Sequence, residues 1–387
     1  ARENFHVHHR ELTKKSQLSD FVFCCKLFCK SRPLIVGAHS NIDTRVCLSA
    51  ASVSGVPNRF RYRHVSIPVK SKPWNHLIYR KCATQVITTA EKIAIPLRED
   101  FHLPSDKVIT IATGIKAPDD PPSREEAHQE LCEELNLPAT TRFIGQVSIL
   151  RGWKGHRDVM SAFDQIASEY PHHHLVFVGG GHGEDYLPPF AEKLEYSDRI
   201  HFVGHQPNPW PYFRAFDIAT LASTKGEGIP QSGMQAMLCG CAFIGTTVGG
   251  IPEIVTDQET GLLVPPSDPD AIAGAFRTIL TDPKNRDRMN AQIQCRQPPC
   301  QGAAHGKPHR ADPVGQNCWM ACQKRQSAAL LGQHLPKQRA ALPCQRLGAG
   351  SFIGLLSCPE TGHLKAKRGT THLGQCRAIR PLQRSAA

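Results

Sequence analysis

The chain has 387 residues, 40% of them hydrophobic and 21% charged, with 15 cysteines and a net charge of +12. Its length and composition permit two domains. They exclude a membrane-spanning helix in the apolar run at residues 21–29, which is broken by Lys26 and falls far short of the ~20 residues that cross a bilayer. The charge belongs to one end: residues 291–387 carry 14 Lys and Arg against Asp312 and Glu360, and residues 1–290 balance at 32 of each sign.

In chain order, residues 5–9 read as a strand and residues 18–29 as an apolar helix whose Cys24, Cys25 and Cys29 are expected to be core thiols. A strand at 34–36 leads to A-H-S-N-I-D at 38–43. R-Y-R-H-V-S follows at 61–66, with further strands at 85–89 and 108–114. A single His at a strand end, such as His39, is open to a structural reading and to a ligand-facing one. Arg63 and His64 read as a solvated loop, with contact to an acceptor or a phosphate as the other reading. The prolines of 118–122 mark a linker, and residues 125–135 its helix.

The strand expected at 143–150 ends in R-G-W-K-G-H and feeds a helix whose Val159, Met160, Phe163, Ile166, Ala167 and Tyr170 keep helical spacing. Arg151 and Lys154 at that strand end can neutralise phosphate, Arg as a planar fork and Lys as a point charge. The run His172, His173, His174 reads as a loop edge before a strand at 175–178. The glycines at 179–181 permit a close approach to a ligand without matching the dinucleotide fingerprint. At 224–237 the sequence T-K-G-E-G-I-P-Q-S-G-M-Q-A-M sets Glu227 between Gly226 and Gly228, where the backbone can turn sharply. Pro230 suits the first turn of a helix over 231–238, whose free amides would point at whatever Glu227 touches. V-G-G-I-P-E repeats the device one strand later, and two neighbouring amide-rich loops suit a diphosphate.

Together these segments resemble the donor-binding domain of family-4 retaining glycosyltransferases with the GT-B fold, from residue 141 to about 290. R-G-W-K-G-H, L-V-F-V-G-G-G, R-I-H-F-V-G, D-I-A-T-L-A-S, G-E-G-I-P-Q, V-G-G-I-P-E-I-V and T-G-L-L-V-P-P-S-D-P-D-A-I-A occur in register. The resemblance implies an α/β chain of two Rossmann-like doubly wound domains, divided as 1–117 on the acceptor side, a linker over 118–140 and a donor domain over 141–290. It implies that Arg151, Lys154 and Gly250 hold the donor diphosphate. Glu227, with the amides of Gly228 and Ile229, would contact the transferred sugar. The family's second Glu, eight positions on, is Gln235 here, which can still accept a hydrogen bond from the ribose without the charge. Residues 34–125 resemble the second half of the acceptor-side domain, and there a His at the place of His39 faces the sugar.

Several expectations follow from the resemblance. The activity is sugar transfer from a UDP- or GDP-sugar to a glycan or lipid-linked acceptor, in surface polysaccharide or lipopolysaccharide synthesis. No metal or cofactor is needed, since the Asp-x-Asp of the other glycosyltransferase class is absent and cations with helix amides can stabilise the leaving group. The cysteine usage and the absence of a signal peptide suit the cytoplasm, with peripheral contact at the inner membrane as an addition and no specific nucleic acid. The Cys295–Cys300 and Cys318–Cys322 spacings are too loose for zinc. Only 33 residues precede Leu34, so the acceptor-side domain is expected to lack its first βα units. Residues 291–387 have no sustained period and are expected to be a disordered, frame-shifted tail. A catalytically inactive nucleotide-sugar binding remnant and a GT-B sugar epimerase remain as alternatives.

Overall fold

The computed structural model describes residues 15–115, 117–118 and 120–282, with residues 12, 288–289 and 353–354 besides. Four short segments form parallel strands of a first sheet: β1 (Ile35–Ala38), β2 (Asn58–Arg63), β3 (Gln85–Thr88) and β4 (Val108–Thr110), adjacent in that order. A second sheet holds β5 (Arg142–Val147), β6 (His173–Val178), β7 (Ile200–Phe202), β8 (Ile218–Leu221), β9 (Ala242–Thr246) and β10 (Leu262–Val264). Its strand order is β10-β9-β8-β5-β6-β7, all parallel. Parallel strands need crossover connections and helices on their faces. The helices supply them.

The helix His156–Ile166 and the helix Pro269–Thr281 cover one face of the second sheet. Between them and the strands pack Val159, Phe163, Ile166, Ile272, Phe276 and Ile279. The other face packs Phe143, Val176 and Phe243 against Leu131 of the helix Arg124–Glu134 and against Phe213 and Phe216. That linker helix opens with a capping box in which Ser123 and Glu126 satisfy each other's amides. The first sheet has its own core, including Phe28 of the helix Gln17–Ser31, Val86, Ile93, Leu97 and Phe101. Ile229 and Met234 of the second domain join that core. Glu253 also crosses between the domains: its carboxylate accepts from the amides of Glu91 and Lys92 at 2.9 and 2.8 Å. It thereby caps the helix Glu91–Asp100, whose own N-cap, Ala90, has no polar side chain.

Some expectations change. β6 begins at His173, so two of the three histidines are strand residues. His174 Nδ1 stands 2.9 Å from His201 Nε2 on β7. The last strand of the first sheet ends at Thr110 rather than 114. Of the three helical cysteines Cys24 is buried, Cys25 is half-buried and Cys29 is exposed. Only Cys24 shares the inward face with Phe28, four residues on. Two residues of the basic segment, Ile353 and Gly354, form β11 and pair with Val36 and Gly37 on the free edge of β1, where unpaired main-chain groups await a partner. The strand expected at 5–9, the paired cysteines beyond 291 and the rest of the tail lie outside the described residues. Among the described residues no helix is long and apolar enough to cross a membrane.

Candidate functional site

In the second sheet the chain leaves β5 for β6 and β7 on one side and returns to β8 on the other. The crevice beyond the carboxyl ends of β5 and β8 is therefore the topological switch point, where open α/β sheets take their ligands. R-G-W-K-G-H follows β5, and the turn around Glu227 follows β8. Gly155 has φ +69°, and a Cβ there would stand 1.9 Å from the carbonyl oxygen of Ala222, so only glycine lets the first turn lie on the second. The amide of Thr224 then donates to the carbonyl of Trp153 at 2.8 Å.

This stacking brings Lys154 and Glu227 together. Lys154 Nζ donates to Glu227 Oε1 at 2.5 Å, with the side chains 15% and 9% exposed. Ser223 Oγ donates to the same oxygen at 2.5 Å, and Thr246 Oγ1 holds the Ser223 carbonyl at 2.6 Å. Oε1 thus takes two donors, while Oε2 has no hydrogen bond among the described residues. A hydroxyl arriving in the crevice would find that oxygen unused.

Behind Lys154 lies a buried polar chain. Gln146, in the middle of β5, donates to the Lys154 carbonyl at 2.9 Å and to Ser148 Oγ at 3.2 Å, and accepts from Thr220 Oγ1 at 3.2 Å. Ser148 Oγ lies 3.0 Å from His156 Nε2. Burial first, and the Lys154 charge second, push the His156 pKa down to about 4, so the ring is neutral at ordinary pH.

The diglycine repeats the close approach. Gly249 has φ +56°, and a Cβ there would stand 2.2 Å from the Glu227 carbonyl oxygen; one on Gly250 would stand 2.6 Å from the Gly228 carbonyl oxygen. A Cβ on Gly228 would in turn meet the His64 carbonyl of the first domain at 2.2 Å. Ile229 turns its side chain into the first domain's core. Pro230 provides no side-chain cap to the helix Gln231–Leu238, on which Gln235 is half-buried. Arg151 lies with its guanidinium 5.2 Å from the Trp153 ring centre and has no carboxylate partner among the described residues.

Across the cleft, His39 follows β1 and is exposed. Its Nδ1 lies 2.8 Å from His64 Nε2, and its ring stacks on Tyr62 at 4.5 Å. Burial lowers the pKa of both histidines; the Arg61 charge adds to it in each, and the Asp43 carboxylate partly offsets it at His39. Arg63 is not in a solvated loop. It is 7% exposed and donates to the Ile67 carbonyl at 2.5 Å, which a strand-end arginine can do because its side chain reaches back under the loop that follows. His64 is exposed, and its backbone meets Gly228. A cavity of about 590 Å³ adjoins the crevice at the ends of β5, β6 and β7, lined by Ser148, Gly179, Gly181, Glu184, His205 and Gln206 among others.

The family model for glycosyl transferases group 1 matches residues 127–295, taking in both turns, the diglycine and Gln235. Residues 127–295 are a glycosyl transferases group 1 domain. Among curated proteins, a D-inositol 3-phosphate glycosyltransferase of Corynebacterium glutamicum is 28% identical over 225 residues, 54% of each chain. An N-acetyl-alpha-D-glucosaminyl L-malate synthase of Bacillus anthracis is 31% identical over 165 residues, 43% of each chain. The chain thus spans about half the length of the curated relatives it matches. Among solved structures, Anabaena HepE in complex with UDP superposes with a TM-score of 0.64 at 17% identity, covering 81% of this chain and 82% of that one. Sucrose-phosphate synthase from Thermosynechococcus elongatus gives 0.62 at 17% identity, covering 86% of each. These likenesses carry the fold, which is GT-B.

Ser223, Gln146 and Thr220 were not found by sequence reasoning. Their signal was faint but present, since each is a polar residue within an otherwise apolar stretch, where burial requires a hydrogen-bond partner.

Proposed function

We propose that this protein transfers a sugar from a nucleoside diphosphate donor to a glycan or lipid-linked acceptor with retention of configuration at the sugar. The observation that carries the reading is the meeting of Lys154 and Glu227 at the switch point of a group 1 domain, beside a cavity of about 590 Å³. The donor's diphosphate would lie against Lys154, Arg151 and the amides at the diglycine turn and at the start of the helix Gln231–Leu238, where cations and helix dipole favour an anion. The base would enter the cavity beneath residues 179–181. Glu227 Oε2 would accept a sugar hydroxyl, Gln235 would reach the ribose, and His39 would face the sugar from the other lobe.

In the reaction the bond between the anomeric carbon and the diphosphate oxygen breaks, and the acceptor oxygen bonds to the same face of that carbon. The acceptor's proton leaves with the diphosphate. Charge accumulates on the departing diphosphate, and fixed donors stabilise it without reorganising. No metal enters this account, so activity should survive EDTA, and its loss on chelation would remove this feature. The nucleotide is UDP or GDP: HepE was solved with UDP, and a Corynebacterium glutamicum relative, 30% identical over 206 residues, is a GDP-mannose-dependent mannosyltransferase. Reaction at the cytoplasmic face, in polysaccharide or lipopolysaccharide assembly, fits a donor of this kind.

The test is a thermal-shift titration of the full chain with UDP, GDP, ADP and dTDP, since a ligand that binds only the folded form raises Tm. One nucleotide should raise Tm saturably and name the base. A flat response to all four would sink the reading.

A further inference from the structure

Between Asp43 and Glu91 the chain has no acidic residue and eight basic ones: Arg45, Arg59, Arg61, Arg63, Lys70, Lys72, Arg80 and Lys81. Arg61 and Arg63 are buried, but Lys70, Lys72, Arg80 and Lys81 are exposed. Among them stand apolar side chains that water would normally drive inward: Val65 is 39% exposed, Ile67 54%, Trp74 48% and Leu77 44%. Trp74 and Leu77 are three residues apart on the helix Pro73–Leu77 and so share a face. The π-helical turn Ile78–Cys82 continues that helix and ends on Arg80 and Lys81.

This surface is braced. Arg63 holds the carbonyl of Ile67 from beneath, Asn75 Nδ2 donates to the Lys70 carbonyl at 2.8 Å, and Ser71 Oγ meets His76 Nε2 at 2.8 Å. The His76 ring lies 4.6 Å from that of Phe101, anchoring the helix to the core of the first domain. The apolar side chains are therefore displayed by a fixed backbone. Ile67 also borders the cleft, since a Cβ on Gly226, beside Glu227, would be 3.7 Å from it.

We propose that residues 64–81 dock this protein onto an anionic lipid bilayer, setting the mouth of the cleft against the membrane surface. An exposed indole with aliphatic neighbours suits the headgroup boundary, and Lys and Arg around them suit anionic lipid. Charge complementarity selects the occupant. A nucleic acid would use the same cations but has no place for Leu77, Ile67 and Val65, which do not stack on bases. The docking rests on the proposed function only for its purpose, the delivery of a lipid-linked acceptor to the cleft.

The experiment uses the full chain and vesicles of phosphatidylglycerol with phosphatidylethanolamine, at low salt and at about 0.5 M NaCl, where attraction through the basic 291–387 segment is screened. Sedimented protein should persist at the higher salt and fall about tenfold in Trp74→Ser/Leu77→Ser, because apolar insertion does not depend on ionic strength. Lys70→Glu/Lys72→Glu should lower binding at low salt. At about 0.5 M NaCl, where the 291–387 segment with its Trp319 is screened from the lipid, vesicles with brominated acyl chains should quench tryptophan fluorescence in the parent and not in Trp74→Phe, which keeps the fold and the apolar face. Persistent quenching in Trp74→Phe, unchanged binding of the Ser double variant, or a poly(U) complex weakened by the same substitutions while vesicles go unbound would overturn the proposal. Nucleotide-induced Tm shifts, measured without vesicles, stand or fall separately.

Discussion

The two sheets treat their strand-end cations differently. In the first, Arg61 gives Nη1 to the carbonyls of Ala38, His39 and Tyr62 and Nη2 to Asn41, and Arg63 is taken by Ile67. In the second, Lys154 meets one carboxylate oxygen, and Arg151 lies on a tryptophan ring. A guanidinium consumed by main-chain carbonyls builds loops, whereas an ammonium with three donors and one strong acceptor keeps capacity for an arriving anion. Charge at a strand end is therefore a poor guide to binding until one knows what it already bonds.

The sharpest break of this comparison is Arg61→Leu against Lys154→Ala. Arg61 is 2% exposed, and its loss strands the buried Ala38 carbonyl and the partly buried carbonyls of His39 and Tyr62, at an expected cost of about 3–5 kcal/mol in chemical denaturation. Lys154→Ala leaves Glu227 the Ser223 hydroxyl, at about 1–3 kcal/mol of stability, but should abolish the nucleotide-induced Tm shift. Equal stability losses with intact nucleotide binding would erase the distinction between the two sites.

His156 gives the next effect. Its folded pKa of about 4 lies below the ordinary value of 6.5, so the folded form binds fewer protons than the unfolded one. The stability this confers is complete above pH 6.5 and is lost as pH falls towards 4, by about 2 kcal/mol between pH 7 and 4.5. His156→Gln should flatten stability over that window relative to the parent chain. A parallel acid profile would show that the buried ring does not govern it.

Ser223→Ala should be milder, at about 1 kcal/mol, since Glu227 Oε1 keeps Lys154. If Ser223 orients the carboxylate, the loss should fall on binding of the nucleotide sugar and spare the free nucleotide, which lacks the transferred sugar whose hydroxyl Oε2 would accept. A uniform loss for both ligands would make Ser223 a packing residue only.

What was legible in the sequence follows the same division. The donor-side turns announced themselves because close approach demands glycine at Gly155, Gly228 and Gly249, and glycine is visible in a sequence. The helix Gln231–Leu238 had the expected bounds because Pro230 fixes its start. Ser223 and Gln146 were hidden, because their roles rest on partners set by tertiary stacking: the Lys154 carbonyl reaches Gln146 only after the 151–156 turn folds back over β5. Arg63 was misread because a strand-end arginine looks solvated until the following loop closes over it. Glu253, conspicuous in V-G-G-I-P-E, serves the other domain's helix across 161 and 162 residues of chain, a distance no local pattern reports.

The smallest effect concerns Gln235, a position where the donor half departs from the pattern it resembles. It sits half-buried on the helix that opens at the crevice, one turn beyond Gln231. A carboxylate there would accept from ribose hydroxyls as an ion, and charge-assisted bonds are stronger than neutral ones, so Gln235→Glu should tighten UDP or GDP binding by about 1 kcal/mol, roughly fivefold. A general electrostatic change would alter ribo- and deoxyribonucleotides alike, and the added negative charge would tend to repel both. A gain confined to the ribonucleotide in paired titrations of UDP and 2′-deoxy-UDP would therefore set Gln235 at the ribose. Equal changes for the two ligands would remove it from the site and leave nucleotide binding to Lys154, Arg151 and the glycine turns alone.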